Sequence, residues 1–249
     1  MIRIFIAVML LSAHCNAAEI ETRGRIDWSI TVTGPIIAGD EGKLKQILQK
    51  DPNITRSTHF LNVTSEGGDV EAAIKMGRMI RDAEMFVVVP RYCRSACVFL
   101  LIGAANRVVI GDVAIHRPYF AELSPSLSTK EVDARYKRLV REVYDYLTEM
   151  NVPTILADTM FSIPPNEKHS LTIAELSSYM LDKADPAYLE RWMARSAAQA
   201  GLSLPVFRQR KSVFDTVSGS LPLNKFQDCQ QAVIMEGRDP NIDPRCRIN

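Results

Sequence analysis

Short apolar segments alternate with amphipathic segments through most of the chain, and this alternation restricts the fold more than any other feature. Residues 26–33 and 59–63 have the composition of strands, and residues 85–89 form a continuous apolar run typical of a strand buried on both faces. Between them, residues 40–50 show helical spacing of apolar side chains, and Asp69 can cap another helix. Strands alternating with helices predict repeated β-α-β units, a mostly parallel sheet and therefore an α/β fold.

The alternation continues to about residue 183 and then weakens. Residues 95–105 are apolar enough for a buried helix, and residues 129–150 have the pattern of a long, charged amphipathic helix. The remaining residues, 184–249, combine one more predicted helix with proline, polar residues and two cysteines. We therefore predict a main domain over residues 19–183 and a small, mostly helical C-terminal appendage over residues 184–249.

Residues 1–18 have the pattern of a secretory signal peptide. Arg3 supplies a positive charge, residues 4–13 form a short apolar run, and the small residues Ala17 and Ala18 end the segment. The run is shorter than the roughly 20 residues that a membrane-spanning helix needs. The sequence predicts an exported, periplasmic protein, membrane-associated if the signal stays uncleaved; a membrane anchor or a buried first strand is the alternative.

The cysteine content fits export. Removing Cys15 with the signal leaves four of the five cysteines, and an even number in an oxidising compartment suggests disulfides. Because the two clusters are far apart in sequence, we expect the pairs Cys93–Cys97 and Cys229–Cys246. Buried free thiols are the alternative for Cys93 and Cys97, since free cysteine packs as a small hydrophobic residue.

The composition argues against several classes of protein. Hydrophobic residues make up 47% and charged residues 24% of the 249 positions, which is an ordinary globular profile. A net charge of +1 lacks the basic excess of nucleic-acid-binding proteins, so no nucleic-acid partner is expected. His116, His169 and the cysteines lack the spacing of a metal site, so we expect no metal and no cofactor.

Three local features can carry chemistry. Residues 65–68 (Ser-Glu-Gly-Gly) follow a strand and precede a helix, where glycine allows a close backbone approach and N–H groups can face an anion. Ser95 lies at a strand-to-helix turn, and His116 ends the strand predicted over residues 113–116. Taken singly, these features have plain structural interpretations, namely a connection, a helix N-cap and a core histidine.

Together the three features resemble the Clp protease proteolytic subunit (ClpP) and its wider clan, which shares the crotonase fold. In that family a Ser-Pro-Gly-Gly turn, a nucleophilic serine among small residues, and a histidine base followed by a polar residue and proline occur in this order. The corresponding stretches here are Ser65-Glu66-Gly67-Gly68, Ser95-Ala96 and His116-Arg117-Pro118. The resemblance covers roughly residues 25–183 and implies a ClpP/crotonase-like spiral of β-α-β units.

The resemblance implies a serine hydrolase that uses acyl transfer, with Ser95 as nucleophile and His116 as its base. The third catalytic residue of the family, an aspartate beyond the long helix, corresponds to Asp158. Asp112 and Asp133 compete with Asp158 for this role.

The resemblance also places the oxyanion donors in the Gly67-Gly68 turn and at the N–H of Ala96. Two departures from the family pattern adjoin the nucleophile. Arg94 stands where ClpP has a small residue, and Cys97 stands where ClpP has glycine. A cysteine nucleophile is the rival interpretation, although neither bracketing cysteine lies where the family pattern puts the reactive group.

The function implied is that of an exported peptidase acting on peptides or unfolded protein segments. No ATPase partner is expected, because an exported protein has no obvious ATP supply. ClpP-like proteins form rings, so the helix over residues 129–150 is expected at a homo-oligomer contact, or else as a solvated surface helix. Two other functions stay open: a partner-binding ClpP-fold scaffold whose site Arg94 blocks, and a crotonase-type acyl-CoA enzyme, which export disfavours because coenzyme A is cytosolic.

Overall fold

The structure, a computed structural model, describes residues 17–23, 29–50, 60–120 and 127–247. These residues form two compact units that divide between Asp185 and Pro186, whereas the sequence predicts a boundary between residues 183 and 184. The predicted signal peptide lies outside the described residues except for Ala17 and Ala18. No helix in the described part of the chain is long and apolar enough to cross a membrane.

The first unit contains two β-sheets. Its strands are β1 (Glu19–Arg23), β2 (Ser29–Thr33), β3 (Phe60–Thr64), β4 (Phe86–Val89), β5 (Tyr92–Arg94), β6 (Asn106–Val109), β7 (Asp112–Ile115) and β8 (His169–Ser170). The larger sheet has the order β1-β2-β3-β4-β6, in which β1 is antiparallel to β2 and the other pairs are parallel. The smaller sheet has the order β5-β7-β8, with β5 parallel and β8 antiparallel to β7.

A single backbone bridge between Ser65 and Cys93 connects the end of β3 to β5, and thereby one sheet to the other. In this bridge the N–H of Ser65 donates to the carbonyl of Tyr92 at 3.2 Å, and the N–H of Arg94 donates to the carbonyl of Ser65 at 3.0 Å. The bridge therefore brings residues 65–68 next to the segment that leads into Ser95.

Helices connect the strands of the first unit. They are α1 (Asp40–Lys50), α2 (Val70–Asp82), α3 (Cys97–Gly103), α4 (Thr129–Glu149), α5 (Ile155–Ser162) and α6 (Ile173–Ser178). The side chain of Asp69 caps α2 by accepting a hydrogen bond from the N–H of Ala72 at 2.7 Å. Ser128 and Glu131 form a reciprocal capping box at the start of α4. Every residue of α3 is buried, so the helix that follows Ser95 is anchored in the core.

Arg107 is the largest fully buried side chain of the core and binds backbone carbonyls from separate segments. Its guanidinium donates to the carbonyl oxygens of Leu101 at 3.1 Å, Ile102 at 2.8 Å and Met180 at 3.0 Å. A longer contact of 3.5 Å reaches the carbonyl of Met150. One side chain thus joins the end of α3 to the segments that follow α4 and α6.

The second unit is helical and has its own core. It contains α7 (Pro186–Gln199), α8 (Leu204–Ser218), α9 (Leu223–Gln230), a π-helical turn at Gln231–Met235 and a 3₁₀ turn at Pro244–Cys246. Phe207, Phe214 and Val233 are buried in its core. The disulfide Cys229–Cys246 joins the end of α9 to the 3₁₀ turn.

The predicted α/β class is confirmed, because parallel strands alternate with helices over the predicted range. Three details differ. The sequence does not predict β5 and β8, because three and two residues are too few for a periodic pattern. Strand β1, with a single apolar residue at Ile20, is also missed. Helix α3 begins at Cys97 rather than at Ser95, because Ser95 has a φ of 53° and cannot continue a right-handed helix.

We expect Arg107→Met to lower the free energy of unfolding by about 3 kcal/mol or more. The substitution fills similar space but removes three hydrogen bonds that a charged guanidinium donates, and each bond of this kind contributes about 1.5–3 kcal/mol. Arg78→Met is the control, because Arg78 is half-exposed and pairs with Glu149 at the surface. Exposed pairs of this kind contribute up to about 1 kcal/mol. Urea unfolding measures both changes, and similar losses in the two variants would contradict the role given to Arg107.

Candidate active site

Ser95 occupies a sharp turn between β5 and α3. Its φ of 53° lies in the left-handed region, which residues other than glycine rarely adopt. The N–H of Ser95 donates to the carbonyl of Ala114 in β7 at 2.9 Å, and the next residues enter the buried helix α3. Such a conformation persists only where the surroundings hold it, and serine nucleophiles of other folds also use a strained strand-to-helix turn.

Gly67 packs directly against this turn. It has a φ of 99°, and a Cβ added to it would lie 2.6 Å from the carbonyl oxygen of Arg94 and 2.7 Å from the Cβ of Ser95. The N–H of Gly67 donates to the hydroxyl of the buried Ser65 at 3.0 Å. Only glycine fits here, both because of its backbone angle and because the neighbouring backbone leaves no space.

The turn at Gly67 and the turn at Ser95 each carry a backbone N–H group with no acceptor in the described part of the chain. Among the described residues, nothing accepts a hydrogen bond from the N–H of Gly68 or from the N–H of Ala96. The N–H of Gly67, in contrast, is occupied by Ser65. Of the three residues predicted as oxyanion donors, Gly68 and Ala96 therefore offer free N–H groups, whereas Gly67 provides the close spacing between the two turns.

His116 follows the last residue of β7, and its side chain is 8% exposed. Its Nδ1 lies 3.0 Å from the carbonyl oxygen of Arg117. A carbonyl oxygen can only accept a hydrogen bond, so this contact requires the proton on Nδ1 and leaves the Nε2 lone pair available. That is the tautomer in which an imidazole can accept a proton from serine.

A cavity of about 640 Å³ brings four of the predicted site residues together. Ser95, His116, Gly67 and Gly68 all line it, and its size is in the range of ligand-binding clefts. The other lining residues are apolar or charged: Ile36, Ile37, Ala38, Glu66, Asp69, Val70, Glu71, Pro118, Tyr119, Phe120, Arg135, Leu139, Pro165 and Lys168. Within the described ranges, no hydrogen bond joins the Ser95 hydroxyl to the His116 ring; this contact is often loose in free enzymes.

Among the described residues, none of the three candidate aspartates forms a hydrogen bond or an ion pair with His116. Asp158 is exposed on α5 and accepts a hydrogen bond from the hydroxyl of Tyr144 at 2.5 Å, which raises the pKa of Tyr144. Asp112 pairs with Arg94 at 2.7 Å, and Asp133 pairs with Lys137 at 2.8 Å. In the part of the chain that the structure describes, no carboxylate forms an ion pair with His116. The catalytic role of Asp158 stays a prediction.

Arg94 does not line the cavity, although it precedes Ser95 in sequence. Its guanidinium pairs with Asp112 at 2.7 Å and Glu66 at 2.8 Å and lies over the ring of Tyr92 at 4.9 Å. Glu66 also binds Lys168 at 3.0 Å. The hydrogen bond from Lys168 and the charges of Lys168 and Arg94 hold the pKa of Glu66 below its ordinary value. Arg94 is thus held in a charged network rather than in the cavity.

Two features of the candidate site are not predicted from the sequence. The Arg117 carbonyl that binds His116 is a backbone group, and no residue type signals it. The contact between Glu66 and Arg94 had a usable signal, because residues of opposite charge stand in both motifs, directly before Gly67 and Ser95.

Cys93 and Cys97 form a disulfide with a Cα–Cα distance of 5.2 Å, as the preferred pairing predicts. The bond joins β5 to the first residue of α3, so it spans the turn at Ser95. Together with Cys229–Cys246, it fits an oxidising extracellular compartment.

No protein-family model matches this chain, and no curated protein matches it. In the described residues, no group of three or more His, Cys, Asp or Glu side chains is arranged to hold a metal ion. The chemistry of the site is therefore inferred from its geometry and from the motifs it contains.

We expect Gly67→Ala to lower the free energy of unfolding more than Gly39→Ala does. The two glycines have nearly equal φ angles, 99° and 98°, so both substitutions carry the same backbone strain of about 1–2 kcal/mol. The added methyl meets nothing within 4 Å at Gly39 but meets backbone at 2.6 Å at Gly67. Urea unfolding should show an additional loss of about 1–3 kcal/mol at Gly67. Equal losses would contradict the close contact.

Proposed function

We propose that this protein is an exported serine hydrolase, a peptidase that acts by acyl transfer without ATP. One arrangement carries the proposal. Ser95, held in a left-handed turn, shares a cavity with His116, and the unpaired N–H groups of Gly68 and Ala96 lie in the two turns that meet at Ser95. A nucleophile, a base and two oxyanion donors are the parts that acyl transfer needs.

The proposed chemistry follows from these parts. Nε2 of His116 accepts the hydroxyl proton as Ser95 Oγ attacks the peptide carbonyl carbon. The carbonyl oxygen becomes an oxyanion, and the N–H groups of Gly68 and Ala96 stabilise it; one such donor is worth about 3–4 kcal/mol. His116 then gives the proton to the leaving amine. Water, activated by the same imidazole, releases the acyl group from Ser95.

Two different acceptors for the Nδ1 proton can orient the His116 ring. In the geometry described above, the Arg117 carbonyl binds the Nδ1 proton and fixes the tautomer. For Asp158 to act as third catalytic residue, the Nδ1 proton of His116 must exchange the Arg117 carbonyl for the Asp158 carboxylate, whose Oδ1 accepts from the Tyr144 hydroxyl. The first arrangement is a dyad oriented by a carbonyl, and the second is the triad that the resemblance to ClpP implies.

The proposal also includes a specific fold, a cellular compartment and an oligomeric assembly. A ClpP/crotonase-like spiral is supported by the β-α-β order and by the bridge between two sheets. The two disulfides support export to an oxidising compartment, the periplasm. The proposed homo-oligomer contact through α4 would use residues 129–138, none of which is buried in the single chain; the same exposure fits a solvated surface helix.

The alternative of a catalytically inactive scaffold also has an observation in its favour. His116 has neither a carboxylate partner nor a hydrogen bond to Ser95 among the described residues. Arg94, however, does not occupy the cavity, so the suggested blockage does not support this alternative. The proposed hydrolase and the scaffold differ in one measurable property, the reactivity of Ser95.

A fluorophosphonate probe should label the wild-type protein at Ser95, and Ser95→Ala should abolish the labelling without changing the circular dichroism spectrum. His116→Ala should lower the labelling rate on the order of 10⁴-fold or more, because the base is lost. Ser178→Ala, at an exposed position on α6, is the control and should label normally. Absence of labelling in folded wild-type protein, or persistent labelling of Ser95→Ala, would overturn the proposal.

Asp158→Asn should lower the labelling rate less than His116→Ala does, because the Nδ1 proton keeps the Arg117 carbonyl as its acceptor. Asp145→Asn, at an exposed position on α4 with no proposed role, is the control and should leave the rate unchanged. A loss of about 10⁴-fold for Asp158→Asn, the size seen when a triad aspartate is neutralised, would contradict this expectation. Asp158 would then be the third member of a triad.

A further inference from the structure

Four side chains of alternating charge form a continuous row beside the candidate site, which we call the charge chain. Its members are Asp112, Arg94, Glu66 and Lys168. Nε of Arg94 donates to Oδ2 of Asp112 at 2.7 Å, and its Nη1 donates to Oε1 of Glu66 at 2.8 Å. Nζ of Lys168 donates to Oε2 of Glu66 at 3.0 Å. The two central residues use different atoms for each partner, so the three contacts exist together.

The centre of the charge chain adjoins both turns of the candidate site. Glu66 directly precedes the Gly67-Gly68 turn, and Arg94 directly precedes Ser95. The guanidinium of Arg94 is held from a further side by the ring of Tyr92, at 4.9 Å from the ring centre. The Arg94–Glu66 contact therefore connects the two turns at the point where they leave their strands.

Few other polar contacts connect these turns. The backbone bridge between Ser65 and Cys93 joins the strand ends behind them. Beyond that bridge, no backbone hydrogen bond among the described residues connects residues 66–68 to residues 95–96. The two free N–H groups belong to different turns, and an oxyanion site requires its donors to be placed within about 0.5 Å.

We propose that the Arg94–Glu66 ion pair positions the N–H of Gly68 relative to the N–H of Ala96, and so determines how well the site stabilises an oxyanion. This inference rests on the proposed function and assigns two positioning residues to it. Arg94 and Glu66 act through the backbone groups that follow them, and neither accepts nor donates the transferred proton. Arg94, which departs from the ClpP pattern, then works together with Glu66, a second departure from that pattern.

A positioning role and a role in stability predict different effects of breaking the ion pair. The side chains of Arg94 and Glu66 are 31% and 49% exposed, and ion pairs at such exposure contribute little to the free energy of unfolding. Misplacing a catalytic group by about 1 Å, in contrast, can lower a rate on the order of 100-fold. Breaking the pair should therefore change the reaction rate and leave the melting temperature nearly unchanged.

The experiment follows fluorophosphonate labelling of Ser95 over a range of probe concentrations, which separates the maximal rate, kinact, from the apparent binding constant, KI. The phosphoryl oxygen of the probe occupies the place of the oxyanion, so kinact reports on the two donors. We expect Glu66→Gln to lower kinact by at least about tenfold, with KI and the melting temperature nearly unchanged. Glu149→Gln is the control, because it breaks a comparably exposed pair with Arg78 at 3.0 Å and should leave kinact unchanged.

A double-mutant cycle identifies the pair itself as the cause. Arg94→Gln should lower kinact about as much as Glu66→Gln, and the double variant should lose no more than either single variant. Additive losses, an effect confined to KI, or an unchanged kinact would overturn the positioning role. A fall in kinact that accompanies a large fall in melting temperature in both single variants would assign the pair to stability and overturn it as well.

The same labelling experiment distinguishes failure of the proposed function from failure of the positioning role. If wild-type protein labels at Ser95 and Ser95→Ala does not, the proposed function holds, and an unaffected Glu66→Gln rejects the positioning role alone. If folded wild-type protein does not label, the proposed function fails, and the positioning role fails with it.

Discussion

The close contact between Gly67 and the turn at Ser95 is the constraint on which the rest of the site depends. It holds two turns from different sheets so near each other that an added Cβ would lie 2.6 Å from the Arg94 carbonyl. This spacing accounts for the positive φ at Gly67 and for the proximity of the turns that carry the free N–H groups of Gly68 and Ala96. The backbone bridge at Ser65 joins the strands that lead into these turns, and the Arg94–Glu66 ion pair connects the residues directly before Ser95 and Gly67.

The register of the smaller sheet brings His116 to the same place. β5 and β7 are parallel, with Arg94 opposite Ala114, and the N–H of Ser95 donates to the Ala114 carbonyl. His116 lies two residues beyond Ala114, so the strand pair that leads into Ser95 also brings the imidazole to the cavity. β8 adds to the other side of β7 in antiparallel fashion. The position of both side chains therefore follows from one pairing of two short strands.

The sequence predicted the parts of the structure that have periodic patterns or distinctive local chemistry. The α/β class followed from alternating apolar segments, and the positions of Gly67 and Ser95 in strand-to-helix turns followed from residue type and spacing. The three-residue strand β5 could not be predicted, because its pairing with β7 is a long-range contact. The partner of His116 could not be predicted either, since a backbone carbonyl leaves no trace in residue type. The contact between Asp158 and Tyr144 was not predicted either, because Asp158 was chosen only by its position relative to the ClpP pattern.

The unpaired N–H groups of Gly68 and Ala96 also affect how a reaction would end. A peptide cut at this site leaves a new C-terminal carboxylate, whose oxygens suit the same two donors. Under the proposed function, the groups that would stabilise the oxyanion would therefore also favour retention of the acyl-side product. Under the proposed function, turnover would slow as product accumulates, and the protein would work best where cleaved fragments are removed quickly.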